Sequence, residues 1–480
     1  MNFRAAVPAL AVLCLILGLA MGLCGAAAAL MGDPAEAREG LWISASLCLA
    51  VGLMLRFAVR DALEPTRRDG FGIVTMGWMI LTFLGALPYL ASGVLRDPMD
   101  AVFETLSGFS TTGASVIPDV ESLPRGILLW RTGTNWLGGM GVLVLCIAIL
   151  PFIGGMQIFQ AEVTGPSKDR LTPRIAATAK WLWGIYVLLT GVEAVLLRLG
   201  GLSWYDAICH AFTTMSTGGF STRNASIGAY PSLYVELVVM VFMLVGAINF
   251  TLHFRALRGD FRGYWRDTEF VFYGGFWLMA CLALTVSVRL GGTASWFEAW
   301  RQAFFNGTSI LTTTGFATVD FDRWPAFSGY LLVLFMIMGG CAGSTAGGIK
   351  AIRVLVVFKM AVRSIRAYLQ PQAVFLIKVG RETLDDARGL AMLAYAMAYL
   401  LTLLVGALAM SVYAPNLRTA LSAVAATMGG VGPGLGAVGP MTTYADIPAA
   451  GKAILSICML LGRLEIYSVL ALFMPSFWKR

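Results

Sequence analysis

Ten apolar runs constrain this chain more than any other feature. They fall near 6–30, 41–59, 71–93, 126–153, 176–200, 230–254, 268–291, 326–350, 389–413 and 450–474. Each comes close to the ~20 residues with which an α-helix crosses ~30 Å of hydrocarbon. No water reaches backbone groups at that depth, so a spanning segment must satisfy its own hydrogen bonds as a helix. The expected fold is therefore an all-α integral membrane protein. Composition agrees, with 58% hydrophobic and 13% charged residues, against roughly 25% charged in an ordinary soluble domain. The first run, from Ala5 to Leu30, is longer than the apolar core of a secretory leader, and a second run follows it. It is expected to be a retained span.

The connections alternate in character. Arg56, Arg60, Arg67 and Arg68 follow the second run, and Lys168, Arg170, Arg174 and Lys180 the fourth. Arg255, Arg258, Arg262 and Arg266 follow the sixth, and Lys350, Arg353, Lys359, Arg363 and Arg366 the eighth. Arg4 precedes the first run, and Lys479 and Arg480 end the chain. An even number of spans with basic inner loops places both termini in the cytoplasm. The net charge of +8 belongs to those loops and does not imply nucleic acid. The eight cysteines form no CxxC pair, and HExxH, GxSxG and Walker A sequences are absent. Neither a zinc site, nor a disulfide framework, nor a common catalytic signature is indicated, and no bound cofactor is expected.

The connections after runs three, five, seven and nine share a pattern. They read DAVFETLSGFSTTGAS (100–115), DAICHAFTTMSTGGFS (206–221), QAFFNGTSILTTTGFA (302–317) and TALSAVAATMGGVGPG (419–434). Aligned without gaps, each has alanine second (Ala101, Ala207, Ala303, Ala420) and glycine twelve residues later (Gly113, Gly219, Gly315, Gly432). The pattern recurs about every 100 residues, so the chain reads as a fourfold repeat of span, re-entrant segment and span. The expected units are a two-helix hairpin at 1–66, then 67–160 with a loop at 110–115, and 161–260 with a loop at 216–221. The third covers 261–370 with a loop at 312–317, and the fourth 371–480 with a loop at 429–434. This gives ten transmembrane helices and four re-entrant half-helices.

A half-helix dipping from one side points its C-terminal carbonyls at the membrane centre, which favours a cation. The Thr, Ser and Gly residues behind it do not continue a helix well. Four such loops about one axis would stack rings of carbonyl oxygens able to replace a cation's hydration shell. The expected filter comprises Thr111, Thr112, Gly113, Thr217, Gly218, Gly219, Thr313, Thr314, Gly315, Gly430, Val431 and Gly432. The plainer alternative is a set of interfacial turns capped by hydroxyls. Asp100 and Asp206 are expected as helix caps. Glu104, Glu193, His210 and His253 are expected to be structural.

These loops, together with WRTGTNWLGGMGVLVL (130–145), AEVTGPSKDRLTPRI (161–175), MGGCAGSTAGGIKAIR (338–353) and GRLEIYSVLALF (462–473), resemble the Trk/Ktr/HKT superfamily of potassium transporters, and within it the TrkH type of membrane subunit. The resemblance covers the whole chain. It implies four pseudo-symmetric units around one pore, potassium as the transported ion, and a homodimer in the lipid of a bacterial inner membrane. It also implies a cytosolic, nucleotide-binding (TrkA-like) regulatory subunit, with nucleotide bound only there. In the plant branch a serine at the first filter position goes with sodium, so Gly113 resembles the potassium-preferring type. A sodium-permeable or ion-coupled symporter of the same superfamily is the alternative reading, ahead of a scaffold or enzyme.

Run eight is too short. Pro325 to Gly340 spans roughly 22 Å as helix at ~1.5 Å per residue. The next stretch, 339–348, has five glycines in ten residues. It is expected to unwind inside the membrane and to line a cavity, the alternative being a glycine-rich helix end. The expected gate comprises Gly339, Gly340, Gly343, Ser344, Thr345, Gly347, Gly348, Lys350 and Arg463. Arg463 lies deep in the last run, where an arginine faces a cavity or a partner. The resemblance puts it beneath the filter, and the carbonyls of 339–348, or Ser344 and Thr345, are candidate partners.

Overall fold

A computed structural model describes residues 3–58, 67–149, 171–292, 295–380, 382–467, 469–470 and 474–475. Arg60, Lys168, Arg170, segment 161–170, Lys479 and Arg480 lie outside the described residues. Six helices are long and apolar enough to span a bilayer: Ala6–Leu30, Ala35–Ala58, Gly72–Ala91, Ala179–Leu199, Thr268–Leu290 and Asp386–Met410. They are the first, second, third, fifth, seventh and ninth of the expected runs. The first two pack closely because Gly18 and Gly52 leave room. A Cβ on Gly18 would lie 2.8 Å from Leu49 Cγ, and one on Gly52 2.9 Å from Leu15 Cγ. Small residues at such contacts let apolar helices approach. Asp33, just past the first helix, accepts from the Arg125 and Gly126 amides at 3.2 and 2.6 Å. It thereby docks the hairpin on helix Arg125–Ile149.

The remaining expected runs are less regular. Run four is the helix Arg125–Ile149. Run six splits into Leu233–Ala247 and Phe250–Leu257, bent by 104°. Counting that pair as one span brings the total to seven. Asn249 causes the break, since its side chain caps the second piece by accepting from Thr251 N–H at 2.9 Å. Run eight is a helix only over Ala326–Met338. The chain is then irregular until Ala351–Leu369 begins, as the glycine content predicts. Run ten, expected to be continuous, stops at Arg463 in helix Ala449–Arg463. Glu465 follows with φ +51° and pairs with Arg353 at 2.6 Å, which turns the chain out of the helix.

Four short helices lie between the long ones: Pro98–Phe109, Trp204–Met215, Trp296–Leu311 and Leu417–Gly429. Each begins on a side chain that accepts a first-turn amide, namely Asp97, Ser203, Ser295 and Asn416. The caps are thus Asp97 and Ser203, and not the expected Asp100 and Asp206. Asp100 instead meets Lys452 at 2.5 Å, and Asp206 accepts from the Ser203 and Thr222 hydroxyls. One departure from an all-helical fold is a hairpin, Ile377–Val379 antiparallel to Glu382–Leu384. It packs Ile377 and Leu384 on Val356 of the preceding helix.

Candidate functional site

The four short helices end alike. At each end one left-handed residue donates three residues back: Thr111 to Gly108 O, Thr217 to Thr214 O, Thr313 to Ile310 O and Gly430 to Thr427 O, at 2.9 to 3.3 Å. The next residue donates five back: Thr112 to Ser107 O, Gly218 to Thr213 O, Thr314 to Ser309 O and Val431 to Ala426 O, at 2.8 to 2.9 Å. This is a Schellman ending, which calls for a left-handed residue that is usually glycine. Here Thr111, Thr217 and Thr313 take φ of 55, 52 and 57°, and only Gly430 is a glycine, at 71°. Gly113, Gly219, Gly315 and Gly432 have φ of 78, 69, 82 and 94°. The sign of φ alternates along each triplet, so neighbouring peptide planes turn the same way instead of alternating as in a strand.

The triplets meet in a ring. A Cβ built on Gly113 would lie 2.2 Å from Gly218 O, one on Gly219 1.9 Å from Thr314 O, and one on Gly315 1.9 Å from Val431 O. One on Gly432 would lie 2.6 Å from Thr112 O. Each of these glycines therefore abuts the carbonyl preceding the next one, and the fourth returns to the first. Glycine is required at all four positions both by the sign of φ and by this contact.

Each loop is tethered to its own helix, but by different chemistry. Glu104 accepts from Ser115 Oγ at 3.0 Å and Val116 N–H at 2.8 Å, and pairs with Arg131 at 2.7 Å. His210 Nε2 contacts Ser221 Oγ at 2.9 Å. Asn306 accepts from Thr318 N–H at 3.2 Å and donates to its hydroxyl at 2.9 Å. Ser422 Oγ accepts from Leu435 N–H at 2.9 Å. Glu104 and His210 are thus structural, as expected, in that they hold the loops. His253 bridges Tyr264 OH and Val245 O, and Glu193 is fully buried in its helix. The Ser110–Thr112 and Thr312–Thr314 hydroxyl pairs, at 2.7 and 2.9 Å, brace loops one and three. Loop two has Gly218 there, and a Cβ on it would meet Asn135 Nδ2 at 1.9 Å. Asn135, from a neighbouring helix, fills the space. The unassigned tethers Asn306 and Ser422 and the filler Asn135 had one available signal, a polar residue in an apolar run.

Segment 339–350 lies against three of the four loops. Thr345 Oγ1 meets Met215 O at 3.1 Å and Thr217 Oγ1 at 3.3 Å. Gly347 N–H donates to Thr313 Oγ1 at 2.8 Å, and a Cβ on Gly347 would lie 2.0 Å from Gly429 O. Gly339, Gly343 and Gly348 have φ of 68, 69 and 77°. Ala351 N–H donates to Gly340 O at 2.9 Å, and Phe250 N–H to Gly343 O at 3.1 Å. Ser344 Oγ donates to Cys341 O at 2.6 Å, and Lys350 Nζ donates to Ala346 O. Arg463 is 8% exposed. It donates to Thr345 O at 2.9 Å and to Gly138 O at 3.1 Å. One guanidinium thus joins the segment to helix Arg125–Ile149, beside the end of the first short helix. Glu269 accepts from Ala342 N–H at 2.8 Å and Ile352 N–H at 3.0 Å, holding both arms of the segment. It was missed because it stands some seventy residues away, a distance that a local pattern cannot span.

The family model for TrkH, a cation transport protein, matches residues 39–272 and 293–480. The chain belongs to the TrkH family. A Trk system potassium uptake protein TrkH from Halomonas elongata is 40% identical over 455 residues, covering 92% of this chain and 93% of that protein. One from Vibrio parahaemolyticus is 42% identical over 426 residues, 87% of each chain. The crystal structure of the potassium transporter TrkH from Vibrio parahaemolyticus superposes with a TM-score of 0.91 at 38% identity, covering 100% of both chains. Family membership makes the chain a transport protein and not an enzyme, as the missing catalytic signatures suggested.

Proposed function

We propose that this TrkH-family chain is the translocating subunit of a potassium-uptake system, selecting the ion with the four glycine loops. One observation carries the reading: the cyclic approach of each filter glycine to the carbonyl of the next loop. The short helices end at that ring, so their C-terminal dipoles favour a cation there. In this reading the chain has ten spans, four pseudo-symmetric units around one pore, and both ends in the cytoplasm of a bacterial inner membrane. Segment 339–350 is the gate beneath the filter, latched by Arg463. The chain works as a homodimer with a cytosolic nucleotide-binding subunit. No cytoplasmic connection here approaches ~100 residues, a common size for a domain, so none of these connections houses the nucleotide site, and the reading assigns nucleotide control to the separate subunit. The basic stretch 350–388 is the contact we expect for that subunit, and co-purification from native membranes tests it. The sodium-permeable alternative is disfavoured by Gly113, where a side chain would run into Gly218 O.

Tracer flux into liposomes holding the purified chain, with potassium and sodium compared, tests transport itself. Selective potassium flux is expected. Equal flux of both ions, or none in any gating variant, would remove the filter reading.

A further inference from the structure

The four outermost filter carbonyls are not equivalent. Tyr444 OH donates to Gly432 O at 2.7 Å. Among the described residues, no side chain donates to the carbonyls of Gly113, Gly219 or Gly315. Tyr444 is 2% exposed and fixed from several sides. Its ring lies on Phe103 with centroids 5.5 Å apart. Its own N–H donates to Ser115 O at 2.8 Å. The next carbonyl, Ala445 O, accepts from Lys452 Nζ at 3.0 Å.

The fourth loop needs an external support. It has neither the hydroxyl pair of loops one and three nor the asparagine that fills loop two. Its sequence GGVGPG (429–434) is the richest in glycine of the four, so Gly430 and Gly432 have wide φ/ψ freedom. Pro433 fixes the φ that follows the Gly432 carbonyl, so this carbonyl does not flip, but it shifts in or out as the Gly432 backbone rocks. We propose that Tyr444 is a positioning residue for cation selectivity, its phenol holding the Gly432 carbonyl at one distance from the axis. This rests on the four loops being the filter. Sodium is smaller than potassium and needs its oxygen ligands closer in. A carbonyl tied to a rigid, buried phenol cannot follow the smaller ion, so sodium is left poorly coordinated. Without the hydroxyl the carbonyl is free to advance, and discrimination falls.

Tyr444→Phe removes one oxygen and keeps the ring on Phe103. The test compares potassium and sodium tracer flux into liposomes for the parent, Tyr444→Phe, Phe103→Leu and Gly113→Ser. Thermal unfolding of each shows that it is folded. The expected result is a potassium-to-sodium ratio about fivefold lower in Tyr444→Phe, the scale of one net hydrogen bond. Total flux and melting temperature should change little. Phe103→Leu, which disturbs the ring but keeps the hydroxyl, should hold the parent ratio; a loss there equal to that of Tyr444→Phe overturns the assignment to the hydroxyl. A shifted ratio in Gly113→Ser with an unchanged one in Tyr444→Phe removes the role of Tyr444 and leaves the filter standing. No shift in either removes the filter reading itself.

Discussion

Threonine avoids left-handed backbone, yet Thr111, Thr217 and Thr313 adopt it at one repeated position. A β-branched residue there is a steric outlier, at a cost of order 1–3 kcal/mol each. Strain repeated three times, at the inner end of one ring, argues that the carbonyl geometry it imposes is needed. The glycines two residues on carry a graded prediction. A Cβ would lie 1.9 Å from a carbonyl oxygen at Gly219 and Gly315, 2.2 Å at Gly113 and 2.6 Å at Gly432. Forcing backbone apart in a packed site costs ~1–3 kcal/mol, about ten- to a hundredfold in rate at ~1.4 kcal/mol per tenfold. Alanine should therefore reduce potassium flux most at Gly219 and Gly315 and least at Gly432, and Gly113→Ser should relax selectivity for potassium over sodium. Flux measured on the four folded variants checks the order, and equal effects would mean that the ring contact is not limiting. The glycines were legible because they recur in register. The sign of φ at the threonines was not, since residue type there argues against it. Asn135 and Tyr444 were not legible because what they touch is remote in sequence or set by the turn.

Within the described residues the first long helices of units two to four are unbroken and that of unit one has a one-residue turn at Ala86, whereas three of the four second helices break near the glycine ring: at Asn249, over 339–350 and after Arg463. Sequence showed the second of these through its glycines and the short helix before it. It gave little sign of the first and none of the third, where an ion pair, Arg353–Glu465, ends a helix that composition alone would continue. Irregular backbone at this depth must be held by protein, and Arg463 and Glu269 are among the side chains that hold the 339–350 segment. Arg463 spans two carbonyls on different units, a geometry that suits a guanidinium fork better than an ammonium. It also repels cations, by ~3 kcal/mol at ~6 Å and an effective dielectric constant of ~20. Arg463→Ala should raise potassium flux without the cytosolic partner, and Arg463→Lys less, because the charge stays. Glu269→Ala strands the Ala342 and Ile352 amides and should raise flux by loosening the loop, with selectivity kept. If these variants fold and conduct no more than the parent, the gate lies elsewhere.

At the scale of the molecule, units one to four are joined in order by the chain, and only the seam from four back to one lacks a covalent link. It is also the loosest glycine contact, at 2.6 Å against 1.9 to 2.2 Å elsewhere. The four short helices and their glycine loops were legible from the repeated pattern; what closes the circle was not, because the partners stand at opposite ends of the sequence. Tyr444 N–H to Ser115 O is one tie across the seam. Another is Lys452 Nζ to Asp100 Oδ1 at 2.5 Å, with the side chains 6% and 26% exposed. Removing one partner of such a pair leaves the other poorly solvated, and in a half-open site this costs less than the ~3–5 kcal/mol of a fully buried pair. Lys452→Met should lower the thermal unfolding midpoint in detergent. Asp100→Asn should lower it less, since the amide oxygen still accepts from the lysine and the Ala445 carbonyl still engages it. The double variant should lose less than the two singles together, because residues in direct contact couple. A seam that closes a selective ring should also show in transport, so both singles should admit more sodium relative to potassium. Additive stability losses with the parent ion ratio would mean that Lys452 and Asp100 only decorate the rim, and that the ring is closed by its backbone contacts alone.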